Sequence, residues 1–335
     1  MDHTLYAEIG PVVDGTLSAL PASDSAAQAW RDFAEQAENA QEWLAARDAM
    51  EAVNAWKADP SLAVRAAENA LRGGDPLSAS KLSEQALAKP DSTTRTRRAV
   101  AVRVRALAEL GRPEEAVATL ERHATLLDDN TRAQAQRAAA WGWVRRGDVA
   151  RARAALRAAG ADSSEDAGAE GWLALYEGDL AGARAAMRRG EPTPERVAAL
   201  ALLARTKASR SAEVGKAFLA LARGDSTTAA ASLEAAAKEL DDAEPLLLAL
   251  AARVHAGRGA AERAASLWEM VATRHGGSPE AAEADLEWAR SLRRSGREAD
   301  AVARLEHMIL TYPESALVPQ ARYELEMARG RLPRP

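Results

Sequence analysis

Arg145–Ala159 reads RRGDVARARAALRAA, with a glycine at Gly147, a small residue five positions later at Ala152 and a large apolar one four beyond that at Leu156. Six other stretches carry the same triplet. Gly74, Gly111, Gly178, Gly224, Gly259 and Gly296 are each followed at the same interval by Ala79, Ala116, Ala183, Ala229, Ala264 and Ala301. Leu120, Met187, Leu233, Trp268 and Leu305 take the third place, and Ser83 is the one polar exception. Successive glycines lie 37, 36, 31, 46, 35 and 37 residues apart. A recurring unit of that size is the mark of a stacked repeat rather than of one compact core. The triplet has a mechanical reading. A glycine ends a helix in the left-handed conformation that a Cβ disfavours, the small alanine lets the next helix pack closely on the first, and the large residue fills the groove between neighbouring pairs.

Numbering each turn glycine as fifteenth in its unit puts Ala67, Val104, Ala140, Gly171, Ala217, Ala252 and Ala289 at the eighth position. With small residues there and at the twentieth position, and bulk at the twenty-fourth, the chain resembles the tetratricopeptide repeat family from Ser61 to Arg329. It departs from that family at the fourth position, where tryptophan is frequent. This chain has Ala63, Val100, Gln136, Ala167, Glu213, Leu248 and Asp285 there, and a closing proline only near Pro90 and Pro313. The resemblance implies an all-α fold, a right-handed α-solenoid of about seven hairpins, and a function of holding other proteins.

Composition agrees with helices in thin layers. The hydrophobic fraction is 47%, yet there are only 2 Phe and 4 Tyr, and alanine supplies much of the rest. Ala, Leu, Glu and Arg enter helices at little cost, whereas strands draw on β-branched and aromatic residues. A net charge of −5 exerts no global pull toward nucleic acid or an anionic membrane. Charge is nevertheless uneven. Met1–Pro60 holds eleven acids against three bases, and Arg95–Arg157 holds fourteen arginines against seven acids. Two explanations stand side by side: arginine used on solvated helix faces, or an acidic segment and a basic face that meet each other or a partner. No cysteine is present, which removes disulfides, thiolate metal sites and cysteine lipidation. The longest uncharged apolar runs, such as Val197–Ala204, fall far short of a bilayer span. No basic and apolar leader opens the chain. The expectation is a chain with no transmembrane segment and no nucleic-acid partner, cytoplasmic as the sequence stands and periplasmic if a leader has been removed.

The expected organisation is an extended arm over 1–22, capping helices over 23–60, the hairpin array over 61–330 and a tail over 331–335. In the caps, Trp30, Phe33, Ala37, Ala40, Trp43, Leu44, Met50, Val53 and Trp56 follow helical spacing as a buried face. The 46-residue interval predicts an irregular layer near 190–211, with Glu195–Thr206 and Ser211–Arg223 as separate helical segments. A last helix is expected over Pro319–Arg329. Ser278, Thr193 and Asn130 read as helix N-caps.

Chemistry-bearing motifs are absent. His3, His123, His255, His275 and His307 show no ligand spacing, and no phosphate-binding glycine loop or nucleophile elbow occurs. The chain is therefore expected to be non-enzymatic, with no cofactor and no metal. Asp128-Asp129 and Asp241-Asp242 sit where capping explains them. Arg-Gly-Asp at Arg146–Asp148 and Arg223–Asp225 falls on the repeat turn, which accounts for both copies. The 8 Trp are unusual beside 2 Phe, because indole is favoured at binding hot spots. Family numbering sets Trp141 and Trp172 at the ninth position and Arg98, Arg105, Arg137, Arg253 and Arg290 at the second, fifth or ninth. The resemblance implies that these positions line a concave face. Guanidinium and indole groups there would suit a protein or peptide partner with an acidic or C-terminal carboxylate. They do not reproduce the lysine–asparagine carboxylate clamp of chaperone-binding members. Solvated arginines, or core tryptophans in a shifted register, are the competing explanation. Two rivals of other classes stand: an α/α enzyme with an aromatic-lined cleft, and a homo-oligomer in which the acidic segment docks on the basic middle of a neighbour.

One narrower likeness covers about fifty residues. HGGSPEAAEADLEWARSLRRSGREADAVARLEHMILTYPESALVPQARYEL, through Tyr312, Pro313, Ser315 and Ala321, is similar to repeats of bacterial cell-envelope proteins of the Tol-Pal-associated and outer-membrane-assembly type. That likeness implies a periplasmic scaffold.

Overall fold

The computed structural model describes residues 23–57, 59–88, 92–160, 166–189 and 194–330. The arm at 1–22, the tail at 331–335, His3, Pro90 and the Thr193 cap lie outside them. Among the described residues there are eighteen α-helices and one 3-10 turn, and the only pairing of β type is an isolated bridge between Asp179 and Arg210. The fold is all-α. Two compact units divide the chain, Met1–Asp162 and Ser163–Pro335.

The first unit runs α1 (Asp24–Asn39), α2 (Trp43–Trp56), α3 (Pro60–Arg72), α4 (Pro76–Ala88), α5 (Thr93–Glu109), α6 (Pro113–Arg122), a 3-10 turn (Ala124–Leu126), α7 (Asp129–Arg145) and α8 (Val149–Ala159). Each α-helix packs on the next, and the first helices of successive hairpins also meet, α3 against α5 and α5 against α7. The second unit runs α9 (Ala167–Tyr176), α10 (Leu180–Met187), α11 (Pro194–Arg205), α12 (Ala212–Ala222), α13 (Ser226–Glu239), α14 (Glu244–Gly257), α15 (Ala261–Arg274), α16 (Ala281–Arg294), α17 (Glu298–Thr311) and α18 (Val318–Ala328). From α12 onward each helix again packs on its successor. Within each unit the layered hairpins form an α-solenoid.

The repeat triplet does the mechanical work its chemistry suggests. All seven turn glycines have φ between +66° and +80°. The residue after each donates its N–H to the carbonyl five positions back, from Asp75 to Ala70 at 2.8 Å through Arg297 to Leu292 at 2.9 Å. This is the bond that closes a helix on a left-handed residue. Four of the turns continue with an aspartate that caps the second helix. Asp75, Asp148, Asp179 and Asp225 accept from the backbone N–H of Ser78, Arg151, Gly182 and Thr228 at 2.9–3.0 Å. Both Arg-Gly-Asp tripeptides are thereby structural, since the carboxylates of Asp148 and Asp225 are spent on their own helices. Ala79, Ala116, Ala152, Ala183, Ala229 and Ala301 are wholly buried. Ser83 is wholly buried too, and its hydroxyl donates to the carbonyls of Ala79 and Ser80 at 2.7 and 2.9 Å, so the polar exception carries no unmet donor.

The interval before α12 breaks the pattern. α9 packs directly on α12, while α11 is attached beside α10. Arg184 of α10 holds the end of α11 by donating to the carbonyls of Leu203 and Thr206 at 2.7 and 2.9 Å. The start of α12 abuts the turn that ends α9, because Ser211 N–H donates to the Gly178 carbonyl at 3.0 Å. That approach needs two glycines. A Cβ on Gly215 would come within 2.6 Å of the Gly178 nitrogen, and one on Gly178 within 2.5 Å of the Ser211 carbonyl oxygen.

Three local expectations are corrected. Asn130 is not a cap: Asp128 is, accepting from Thr131 N–H at 2.8 Å, because the helix opens two residues earlier. Ser278 is not a cap either, since its residue lies in the turn before α16 and Glu280 occupies the N-cap place without a side-chain capping bond. Trp56 is 39% exposed and Leu44 is 40% exposed, so the buried face of α2 is carried by Ala46, Ala49, Met50 and Val53.

Candidate functional site

The residues singled out for binding stand on first helices of hairpins: Arg98 and Arg105 on α5, Arg137 and Trp141 on α7, Trp172 on α9, Arg253 on α14 and Arg290 on α16. Helical phase decides which are available. In α5 the buried positions Thr96, Ala99, Val100, Val104 and Leu107 leave Arg98 and Arg105 facing outward.

Most of these arginines already hold a carboxylate of the adjacent hairpin. Arg98 donates through Nε and Nη2 to Glu68 of α3 at 2.8 and 2.6 Å. Arg253 donates through the same two nitrogens to Glu283 of α16. Both pairs join the ninth position of one hairpin to the second position of the next, with acid and base exchanged between them. Arg290 of α16 reaches Glu324 of α18 at 3.2 Å and also Glu287 of its own helix. Arg65 of α3 donates to Glu38 of α1. The Glu68 hydrogen bond raises the Arg98 guanidinium above the ordinary arginine range, and the Glu283 bond does the same for Arg253. Such two-pronged pairs stiffen long side chains, but solvent exposure keeps each worth under about 1 kcal/mol.

The remaining residues differ. Arg137 donates to the Gly160 carbonyl at 3.3 Å. Arg105 is exposed and makes no hydrogen bond or ion pair with the described residues. Trp141 is half-buried. Trp172 is half-buried against Tyr176 and Phe218, with ring centroids 6.0 and 6.4 Å away. These tilted stacks make its indole a rigid platform, built on the second unit's core of Leu175, Met187 and Leu203. The structure therefore sets Arg98, Arg253 and Arg290 against acidic side chains of the adjacent hairpin. It does not leave a bare row of guanidinium groups.

Two polar centres escaped the sequence reading. Asp285, at the fourth position of its unit, is wholly buried. It accepts from Arg304 Nη1 at 3.0 Å and pairs with His307 Nδ1 at 2.7 Å. The Arg304 guanidinium in turn lies 4.1 Å from the ring centre of Trp288. Burial and the neighbouring Asp285 charge raise Tyr312 above its ordinary range, and its hydroxyl donates to the Gly276 carbonyl at 2.9 Å. In the other centre Glu234 accepts from Arg263 and pairs with His255 Nε2 at 2.8 Å. Burial pushes the Glu234 carboxyl up, but the hydrogen bonds from Arg263 and His255 outweigh it and hold the group below the ordinary glutamate range. Each centre links a first helix to second helices of the array, and Asp285 takes the fourth position of its unit, where tryptophan is frequent in the repeat family it resembles. Substitution of a charge at such a place is the signal that could have exposed Asp285.

Among the described residues no three His, Asp or Glu side chains converge as a metal site. No helix among them is long and apolar enough to cross a membrane.

No protein-family model matches the sequence, and no curated protein matches it. Solved structures with similar helix arrangements include yeast Tom70, at 14% identity over 92% of this chain and 74% of that one, with a TM-score of 0.37. A tetratricopeptide repeat protein from Parabacteroides merdae aligns at 14% identity over 90% and 98%, with a TM-score of 0.28. The Cut9–Hcn1 hetero-tetramer of the APC/C aligns at 13% identity over 90% and 69%, with a TM-score of 0.32. Likeness at that level says nothing of what this chain binds.

Proposed function

We propose that the chain is a non-enzymatic scaffold that binds a polypeptide along the first helices of its hairpins. The observation that supports this reading is the cross-hairpin pairing at Arg98–Glu68 and Arg253–Glu283. In each unit it holds long charged side chains extended between the first helices of adjacent hairpins, where the core has no use for them. A partner carboxylate can replace a glutamate at little cost, because each exposed pair contributes little by itself. Arg105, which has no acid partner among the described residues, is the first point of contact for such a carboxylate, and Trp172 supplies rigid apolar area in the second unit.

Photo-crosslinking from single positions tests the reading. A photoreactive side chain at residue 105 is expected to capture partner protein in cells. The same group at Leu77, which is 66% exposed on the second helix α4, is expected to capture little. Equal capture from both positions, or catalytic turnover that one Asp or Glu substitution abolishes, defeats it.

A further inference from the structure

In the unit Met1–Asp162 a cleft of about 220 Å3 opens between α1, α2 and α3. Its floor is apolar. Met50 and Val53 come from α2 and Leu62 from α3, all of them buried among their own helices. Its rim is charged, with Arg31, Asp32 and Glu35 on α1 and Arg65 on α3.

Of the two cations of the rim, Arg65 is bonded to Glu38, and Arg31 acts on the Asp59 carboxyl at longer range without an ion pair among the described residues. Neither anion is ion-paired: among the described residues Asp32 accepts only from the amide of Gln28, at 2.8 Å, and Glu35 makes no hydrogen bond or ion pair. Asp32 and Glu35 are three residues apart on one helix, so their carboxylates project side by side over the apolar floor. An aliphatic floor beneath a pair of unanswered carboxylates is complementary to one kind of side chain: a long alkyl stem ending in a cation.

We propose that this cleft receives an arginine side chain of a partner polypeptide, its stem on Met50, Val53 and Leu62 and its guanidinium between Asp32 and Glu35. The inference rests on the reading of the chain as a polypeptide-binding scaffold, and names the partner's chemistry at one point of contact. It also separates two regions of opposite preference: Arg105 on α5 for a carboxylate, and the α1–α3 cleft for a cation.

The test titrates the full chain, with its Met, Val and Leu methyl groups isotopically labelled, against three capped peptides. Acetyl-Gly-Ser-Leu-Arg-Leu-Ser-Gly-amide is compared with the same peptide carrying citrulline, which keeps the shape and removes the charge, or glutamate. The arginine peptide is expected to shift the Met50, Val53 and Leu62 methyl signals, and citrulline to weaken binding at least about tenfold. Asp32→Asn combined with Glu35→Gln is expected to weaken the arginine peptide to a similar degree, and Glu35→Arg to abolish its binding. Both rim residues are exposed, so the circular dichroism melts of these variants should match the parent. Equal binding of arginine and citrulline peptides, a double variant that binds like the parent, or no movement of the three methyl signals overturns the proposal. Binding of the glutamate peptide alone removes the cleft assignment and leaves the scaffold reading standing. Failure of all three peptides, together with no capture from position 105, removes both.

Discussion

At the scale of single residues, the turn glycines show how one conformational requirement recurs with different consequences. Gly224 and Gly178 both have positive φ, at +74° and +72°. A Cβ on Gly224 would meet nothing within 4 Å, whereas one on Gly178 would sit 2.5 Å from the Ser211 carbonyl oxygen. Gly224→Ala is therefore expected to cost about 1 kcal/mol, the left-handed penalty alone. Gly178→Ala should cost about 3 kcal/mol, because backbone must also move. Denaturant midpoints of the two variants measured side by side check the order. The capping aspartates carry a pH prediction. The side-chain and backbone hydrogen bonds of Thr228 lower the Asp225 carboxyl below its usual 3.8, and the Ser78 backbone bond lowers Asp75 likewise. A carboxyl with a folded pKa below its unfolded one stabilises fully above the unfolded value and loses that contribution as pH falls through the folded value. Asp225→Asn should thus be less stable than the parent at pH 7. The gap should close below pH ~3.8, the unperturbed aspartate value.

At the scale of elements, α16 and α17 are joined by more than apolar packing. Asp285 is buried without exposure, while its partners Arg304 and His307 keep side-chain exposures of 23% and 46%. Removing the acid leaves a guanidinium facing an apolar interior with its acceptor gone, and such one-sided losses cost about 3 kcal/mol. Asp285→Ala is expected to lose about that much, and Asp285→Asn less, because the amide oxygen still accepts one bond. Thermal unfolding followed at 222 nm compares them. The tyrosine of the Tyr312-Pro313-Glu314-Ser315 turn gains a structural reason here. Its hydroxyl ties the end of α17 to Gly276, and the Ser315 hydroxyl accepts from Leu317 N–H at 3.3 Å to open the way into α18.

At the scale of the whole molecule, an array of hairpins gathers stability from intrinsic terms and nearest-neighbour interfaces, without a common centre. Damage should stay local. Hydrogen exchange of Asp285→Ala is expected to speed up in α16–α18 and to leave the amides of α1–α8 as protected as in the parent. Uniform loss of protection over both units would contradict that additivity. The same layering explains the alanine-rich interior. Thin layers need close helix approach, and Ala67, Ala140, Ala217 and Ala252 at the eighth position are wholly buried to allow it.

The turns and helix pairs were readable in the sequence because their causes are local. A glycine, the aspartate after it and an alanine five residues on satisfy each other within a few residues, so Gly147, Asp148 and Ala152 announce their structure by themselves. Cap positions were less secure. Asp128 and Asn130 are both good caps, and only the way the chain enters α7 chooses between them. What lies between hairpins could not be read. Whether Arg98 faces solvent, a ligand or Glu68 depends on a residue thirty positions away, and the meeting of α9 with the start of α12 depends on where the extra helix α11 lodges. The cleft over Met50 and Val53 is of the same kind, a space three helices leave between them. Sequence alone determined which segments become helices and where they turn, because those choices are settled within one turn of backbone. Only the tertiary structure decided which charges are spent inside the protein and which stay available, because pairing is settled by distance in space.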